Sequence, residues 1–142
     1  MHSTPSSYRI IDHTADLGIT VKGPDKKKLF IHAALAMTDL MVKGNRGRKK
    51  FTRSIIVEGT DLPDLMVKWL GEILYLFAGE RLIVDSIAID SLNRVQLKAL
   101  ITFVIFDPNH HEILREIKAV TYHQISVCKI DNGWEARIIF DI

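Results

Sequence analysis

Carboxylates are crowded at two places in this sequence, the polar segment Asp12-His-Thr-Ala-Asp-Leu17 and the chain end Phe140-Asp141-Ile142. At the chain end, the Asp141 side chain and the terminal carboxylate of Ile142 are neighbouring hard oxygen donors, which divalent cations bind. Two carboxylates this close repel each other, and a bound cation would relieve the repulsion. If the last strand is central in its sheet, both groups are fixed, and a third oxygen ligand would complete a site.

The polar segment lies between two short apolar runs, Tyr8 to Ile11 and Leu17 to Val21. Together they predict a strand, a loop and a second strand. A loop positioned by a scaffold often carries function, and the two aspartates, the histidine and the threonine of this segment are candidates. Asx and hydroxyl turns explain such a composition equally well. Spacing alone does not show whether Asp16 meets the distant chain end.

The sequence lacks the common enzyme signatures, namely a glycine-rich phosphate loop, zinc-spaced Cys and His residues and a Gly-x-Ser-x-Gly elbow. His110 and His111 follow a turn composition, and because adjacent histidines point in different directions, we expect no metal role for them. The single cysteine, Cys128, lies in an alternating apolar run, where we expect it to pack. Without a disulfide partner, it favours a reducing, cytoplasmic location.

The composition predicts one compact domain over residues 8–142, preceded by a flexible tail at residues 1–7. No apolar run reaches the roughly 20 residues that span a bilayer, so we expect no membrane partner. The near balance of 19 basic and 17 acidic residues argues against a domain that holds nucleic acid by neutralising phosphates. The exception is the segment 43–50, which has five basic residues and which we interpret as a flexible, solvated loop, with contact to RNA or an acidic partner as the alternative.

Helical periodicity predicts two helices in the first half of the chain. The first is expected over about residues 25–43 with Asp25 as N-cap, and the second begins at Asp61-Leu-Pro-Asp64 with Asp61 as N-cap. The second helix has an apolar stripe so wide that it is expected to be buried, with Trp69 as a core residue and not a base-stacking one.

Strand-like patterns dominate from Arg81 to the chain end, and Asp131-Asn-Gly133 predicts a tight turn in a final hairpin. The predicted strands in this half are Leu82 to Ile89, Val95 to Phe106, Ile117 to Val120, Tyr122 to Ile130 and Trp134 to Phe140. Early helices and consecutive late strands predict an α+β fold, in which a mostly antiparallel sheet packs two helices on one face.

Two motifs carry a resemblance to a known family. Asp12-His-Thr-Ala-Asp-Leu-Gly18 and Glu116-Ile-Lys-Ala-Val-Thr-Tyr-His123 resemble the two signatures of the archease family, and the ending Phe140-Asp-Ile142 is similar to the family's ending. The similarity extends over nearly the whole chain from Tyr8. The run Lys26 to Lys28 departs from the family, whose members more often have acidic residues there.

The resemblance implies an archease-like α+β fold with a metal site formed by Asp16, Asp141 and Ile142, holding a divalent cation, expected to be calcium. It also implies a non-catalytic accessory protein that activates the GTP-dependent RNA-splicing ligase RtcB by promoting its guanylylation and turnover. Transfer RNA would then be a partner only through the ligase, in tRNA splicing or RNA repair, and no DNA partner is expected.

Two other functions stay open from the residues. A metal-dependent phosphoester hydrolase would use the same carboxylates with His13 or His123 as base. A chaperone or RNA-binding module would use the basic segment 43–50. For His123, we favour a structural role in capping a bulge or turn over a role in proton donation or partner contact, and no role is assigned to Lys118.

Overall fold

The computed structural model describes residues 8–12, 16–47 and 49–142. Within them lie the helices α1 (Lys26–Met41) and α2 (Leu62–Glu80) and the strands β1 (Tyr8–Asp12), β2 (Asp16–Gly23), β3 (Val42–Gly44), β4 (Phe51–Glu58), β5 (Leu82–Leu92), β6 (Gln96–Ile105), β7 (His111–Ile113), β8 (Ala119–Val120), β9 (Ser126–Ile130) and β10 (Gly133–Asp141). The predicted tail at residues 1–7 and the candidate His13 lie outside the described residues.

Both predicted helix starts are confirmed by their capping contacts. The Asp25 carboxylate accepts a 2.8 Å hydrogen bond from the Lys28 backbone N–H, and Asp61 accepts one of 2.9 Å from Asp64. These bonds satisfy backbone donors that the first helical turn leaves without a partner. At the other end of α2, Arg81 adopts the left-handed conformation, with φ of 57°, and its N–H closes the helix.

The core forms around α2. Trp69 is fully buried, and its indole N–H donates a 2.9 Å hydrogen bond to the carbonyl oxygen of Phe30 on α1. The bond satisfies the one polar atom of a large apolar side chain, so the ring can be buried without an unpaired donor. The predicted core role of Trp69 is confirmed.

All strand pairs in the described ranges are antiparallel, and they form three sheets. In the largest sheet, β10 pairs with β2 on one side and with β8 and β9 on the other, while β1 pairs with β2. A second sheet has the order β4-β6-β5, and β3 pairs with β7. Each helix contacts strands of both larger sheets, which confirms the predicted α+β class.

The final hairpin forms as predicted, with β9 and β10 joined through Asp131 and Asn132. Gly133 has a φ of 143°, which only glycine adopts readily. A Cβ atom there would also run into the carbonyl oxygen of Gly23 on β2. The turn therefore depends on glycine for both backbone conformation and space.

The structure corrects two predictions about surface residues. Cys128 is exposed on β9, so the prediction that it packs is wrong. In the segment 43–50, Arg46 is only 5% exposed and donates to the carbonyl oxygens of Val84 at 3.1 Å and Gly44 at 3.2 Å. The solvated-loop interpretation is therefore wrong for Arg46, because backbone carbonyls replace water around its guanidinium.

Some element boundaries also differ. The pairing of β3 with β7 was not predicted, and β9 begins at Ser126 instead of Tyr122. Asp16 is the first residue of β2 and not a loop residue, because pairing with β10 extends the strand to it. In the described part of the chain, neither helix is long and apolar enough to cross a membrane.

Candidate cation site and the adjoining cavity

Asp16 and Asp141 face each other across two neighbouring strands. Asp16 begins β2, Asp141 ends β10, and the antiparallel register makes them direct partners. Residues opposed in this way lie on the same sheet face with Cβ atoms about 4.5–5.5 Å apart, and like charges in such positions destabilise the sheet. Asp141 is exposed and Asp16 is half-buried, so the pair is open to solvent.

The end of β10 is held on its other side by the second sequence motif. The Lys118 backbone N–H donates a 2.7 Å hydrogen bond to the Asp141 carbonyl oxygen. The backbone N–H and the hydroxyl of Thr121 donate to the carbonyl oxygen of Ile139 at 3.0 and 2.9 Å. Strand β10 is therefore central up to its last residue, and the two motifs meet on either side of it.

The donor set at this point consists of oxygens. In the described ranges, no three side chains of His, Cys, Asp or Glu come together as a metal-binding group. Asp16 and Asp141 therefore need a further donor, and the sequence-based candidate is the carboxylate of Ile142, the residue after Asp141, which is 44% exposed. Carboxylates without nitrogen or sulfur ligands suit calcium or a similar hard cation, so the residues fit the expected ion.

The second motif also contacts the start of α2. The Tyr122 hydroxyl donates a 2.6 Å hydrogen bond to one carboxylate oxygen of Asp64, and the backbone N–H of Thr60 donates to the other at 2.8 Å. These bonds, the one from Tyr122 first, lower the pKa of Asp64 to about 2, and the same contact raises the pKa of Tyr122. Through this hydrogen bond, Tyr122 holds the second motif against α2.

The prediction that His123 caps a turn is wrong. Its side chain is exposed, and its backbone N–H donates a 3.2 Å hydrogen bond to the Thr121 hydroxyl, which provides the cap. Threonine can do so because its oxygen lies close to the backbone. The imidazole of His123 is left at the surface.

His111 has a structural role. Its ring is 5% exposed, Nδ1 accepts a 2.9 Å hydrogen bond from the Asp107 backbone N–H, and Nε2 donates one of 3.0 Å to the Asn45 carbonyl oxygen. A backbone N–H only donates and a carbonyl oxygen only accepts, so the proton of the neutral ring is on Nε2. Both ring nitrogens are engaged in joining the turn before β7 to the segment after β3.

A cavity of about 390 Å³ is lined on one side by the second motif, including Lys118, whose backbone N–H bonds to Asp141. We call its buried apolar residues the floor and its exposed residues the rim. The lining residues are Met41, Leu74, Phe77, Ala78, Arg81, Ile113, Arg115, Glu116, Ile117 and Lys118. Lys118 thus connects the two features, since its backbone N–H bonds to the Asp141 carbonyl oxygen and the residue belongs to the cavity lining.

Sequence reasoning missed Arg81 and Arg115 as residues of a possible binding surface. They lie 34 positions apart, one at the end of α2 and the other after β7, and neither belongs to a recognisable motif. The position of Arg115 directly before the second motif is the one local signal. Only the packing of α2 against the segment that leads into β8 brings them to one cavity.

Comparison with known proteins identifies a family. The sequence model of the Archease protein family matches residues 8–142. Protein archease from Methanosarcina mazei is 31% identical, with 100% of both chains covered, and protein archease from Pyrococcus abyssi is 35% identical, with 92% of this chain and 95% of that one covered.

Two solved structures have a similar fold. The solution structure of Methanobacterium thermoautotrophicum protein 1598 has a TM-score of 0.73 and 28% identity, covering 96% of this chain and 99% of that chain. The crystal structure of an archease from Thermotoga maritima, named as a possible chaperone, has a TM-score of 0.62. The similar region covers 93% of this chain and 94% of that chain. At 16% identity, the likeness shows a shared fold alone.

Proposed function

This chain belongs to the archease family, and we propose that it is an accessory protein that activates the GTP-dependent RNA-splicing ligase RtcB. In this proposal it promotes guanylylation and turnover of the ligase, in tRNA splicing or RNA repair in the cytoplasm. The catalytic histidine belongs to the ligase, and transfer RNA is reached only through it.

The observation that carries the proposal is the direct pairing of Asp16 with Asp141. A fold gains nothing from two carboxylates in opposed strand positions, because their mutual repulsion lowers its stability. A bound cation would offset this repulsion and would therefore explain the arrangement. The two motifs that resemble the family signatures both contact this pair, because Asp16 of the first motif lies on β2 and Ala119 of the second, on β8, pairs with Asp141.

We propose that Asp16, Asp141 and the terminal carboxylate of Ile142 hold a divalent cation, expected to be calcium. When bound, the ion would supply a positive charge at the surface presented to the ligase, which would help organise the ligase's metal and GTP environment. The protein's own residues position the ligands. The hydrogen bonds from Lys118 and Thr121 to the β10 backbone fix the strand end, so the carboxylates need little reorganisation on binding.

The test is a guanylylation assay with the matching ligase and GTP, with and without this protein. We expect Asp16→Ala to abolish the stimulation while circular dichroism and thermal unfolding show a folded protein. Asp90→Ala is the matched control, because Asp90 is an exposed carboxylate on β5 in another sheet. A chelator should reduce stimulation by the wild-type protein to the level of Asp16→Ala. If Asp16→Ala stimulates the ligase as well as the wild-type protein does, the proposal is wrong.

The same protein samples separate the other two functions. Turnover of a phosphoester or nucleotide without ligase would favour a metal-dependent hydrolase. Tight binding of bare RNA with a steep salt dependence would favour an RNA-binding module, since each neutralised phosphate adds to the salt slope. We expect neither result.

A further inference from the structure

The residues that line the cavity have an excess of positive charge. Arg81, Arg115 and Lys118 line it together with one carboxylate, Glu116. In the described part of the chain, none of these three cations makes an ion pair with a carboxylate. Some cations elsewhere do have a carboxylate partner, as in Arg53 with Glu80 at 3.1 Å and Lys50 with Asp85 at 3.0 Å.

Both arginines are held in position. Arg115 donates a 2.7 Å hydrogen bond to the carbonyl oxygen of Leu40, at the end of α1. The guanidinium of Arg81 lies 5.3 Å from the ring centroid of Phe77, a cation–π distance. A positioned guanidinium loses less entropy on binding a carboxylate than a freely rotating one does, and it can bind both oxygens at once.

The floor of the cavity is apolar. Met41, Leu74, Phe77 and Ile117 are each at most 8% exposed, and Ile113 at the rim is 40% exposed. Because Phe77 presents so little of its ring, the cavity offers no aromatic face on which a nucleotide base would stack. The space therefore suits an aliphatic side chain, and the rim suits carboxylates beside it.

We propose that this cavity docks an acidic segment of the partner ligase, with an apolar side chain inserted over Leu74 and Ile117 and flanking carboxylates bound by Arg81, Arg115 and Lys118. The proposal rests on the proposed function, since it assigns the segment to that partner. A volume of about 390 Å³ accommodates one large side chain with its neighbours and is too small for a folded element. Docking here would bring the partner to Lys118, whose backbone N–H bonds to the Asp141 carbonyl oxygen.

Two variants test the docking. Arg81→Gln/Arg115→Gln removes both guanidinium charges, and glutamine at position 81 adopts the left-handed conformation at a cost similar to that of arginine. Ala78→Glu adds a carboxylate at an exposed rim position of α2, which should repel an acidic segment without disturbing the core. The matched control is Lys27→Gln/Lys129→Gln, which removes two exposed positive charges outside the cavity lining.

The readout is ligase guanylylation as a function of the concentration of this protein. We expect the Arg81→Gln/Arg115→Gln and Ala78→Glu variants to raise the half-maximal concentration about tenfold or more, a loss of about 1.4 kcal/mol in binding, with unchanged maximal stimulation. The control should change it less than about threefold, as expected for charges outside the contact. Asp16→Ala should instead lose the maximum, which separates docking from activation.

A cross-linking experiment identifies the occupant. In Ile113→Cys with Cys128→Ser, a benzophenone label at the rim should cross-link to a ligase peptide that contains several carboxylates and an apolar residue. A label at Ser86→Cys, on β5, should not yield that peptide. Cross-links to RNA instead of the ligase would overturn the proposal.

Two further outcomes of the titration would also overturn it. If the cavity variants match the control, or lose the maximum without a change in half-maximal concentration, the cavity does not dock the partner, while activation through the acid pair still stands. If the wild-type protein gives no stimulation at all, both the docking and the proposed function fail.

Discussion

The acid pair and the cavity are connected through Lys118, yet they are built in opposite ways. Asp16 and Asp141 are short side chains whose positions follow directly from strand register. Arg81, Arg115 and Lys118 are long side chains around an apolar floor. Short carboxylates on a paired backbone suit the binding of a small ion, whereas long cations around a concave apolar surface suit a polypeptide.

The largest expected effect separates the two regions by their response to calcium. A cation that binds only the folded state adds about 2.7 kcal/mol to the free energy of unfolding at a hundred times its Kd. We expect calcium to raise the Tm of the wild-type protein and of Arg81→Gln/Arg115→Gln equally. Asp16→Asn should lose the shift, as should a protein extended by two glycines after Ile142. A calcium shift retained in Asp16→Asn would remove the distinction between the regions.

A smaller effect is expected at the cavity. Arg115→Met removes the hydrogen bond to the Leu40 carbonyl and should lower the free energy of unfolding by about 0.5–1.5 kcal/mol, measured by urea denaturation. Its calcium-induced Tm shift should stay at the wild-type value, because the substitution leaves the carboxylates in place. A weakened calcium response would instead mean that the cavity and the acid pair are energetically coupled.

When calcium is absent, a substitution in the acid pair is expected to raise the free energy of unfolding instead of lowering it. With a chelator present, Asp141→Asn should raise the free energy of unfolding by about 0.2–1 kcal/mol, because it removes a like-charge pair in opposed strand positions. Asp90→Asn serves as the control and should show no such gain. A loss of stability in Asp141→Asn without calcium would contradict the repulsion on which the proposed site depends.

The smallest effect concerns the contact that holds the second motif against α2. The folded-state pKa of Asp64 is about 2, below its ordinary value of 3.8, so its carboxylate stabilises the fold above about pH 4. This contribution is lost as the pH falls toward 2. Tyr122→Phe should raise the Asp64 pKa, measured by NMR titration, and the loss should then occur at higher pH.

Tyr75→Phe is the control for this titration, since Tyr75 is 69% exposed on the same helix and is not a partner of Asp64. An Asp64 pKa unchanged in Tyr122→Phe would show that the Thr60 backbone contact alone is sufficient. The motif would then have to be held by its bonds to β10.

Local patterns determined much of the fold. The caps at Asp25 and Asp61, the buried face of α2 around Trp69 and the turn at Gly133 depend on residues close together in the chain, and the structure contains all of them. Local patterns predicted the burial of Arg46 and Cys128 wrongly, because burial of a single side chain depends on which strand or loop packs over it.

For the candidate sites, the sequence by itself supplied the two aspartates Asp16 and Asp141 and the resemblance that links them. Only the tertiary structure decided that β2 and β10 pair in the register that opposes these aspartates. Only the tertiary structure also brought Arg81, Arg115 and Lys118 to one apolar cavity. The physical reason is that strand register and helix packing are set by the burial of the whole core. The spacing of residues along the sequence does not predict them.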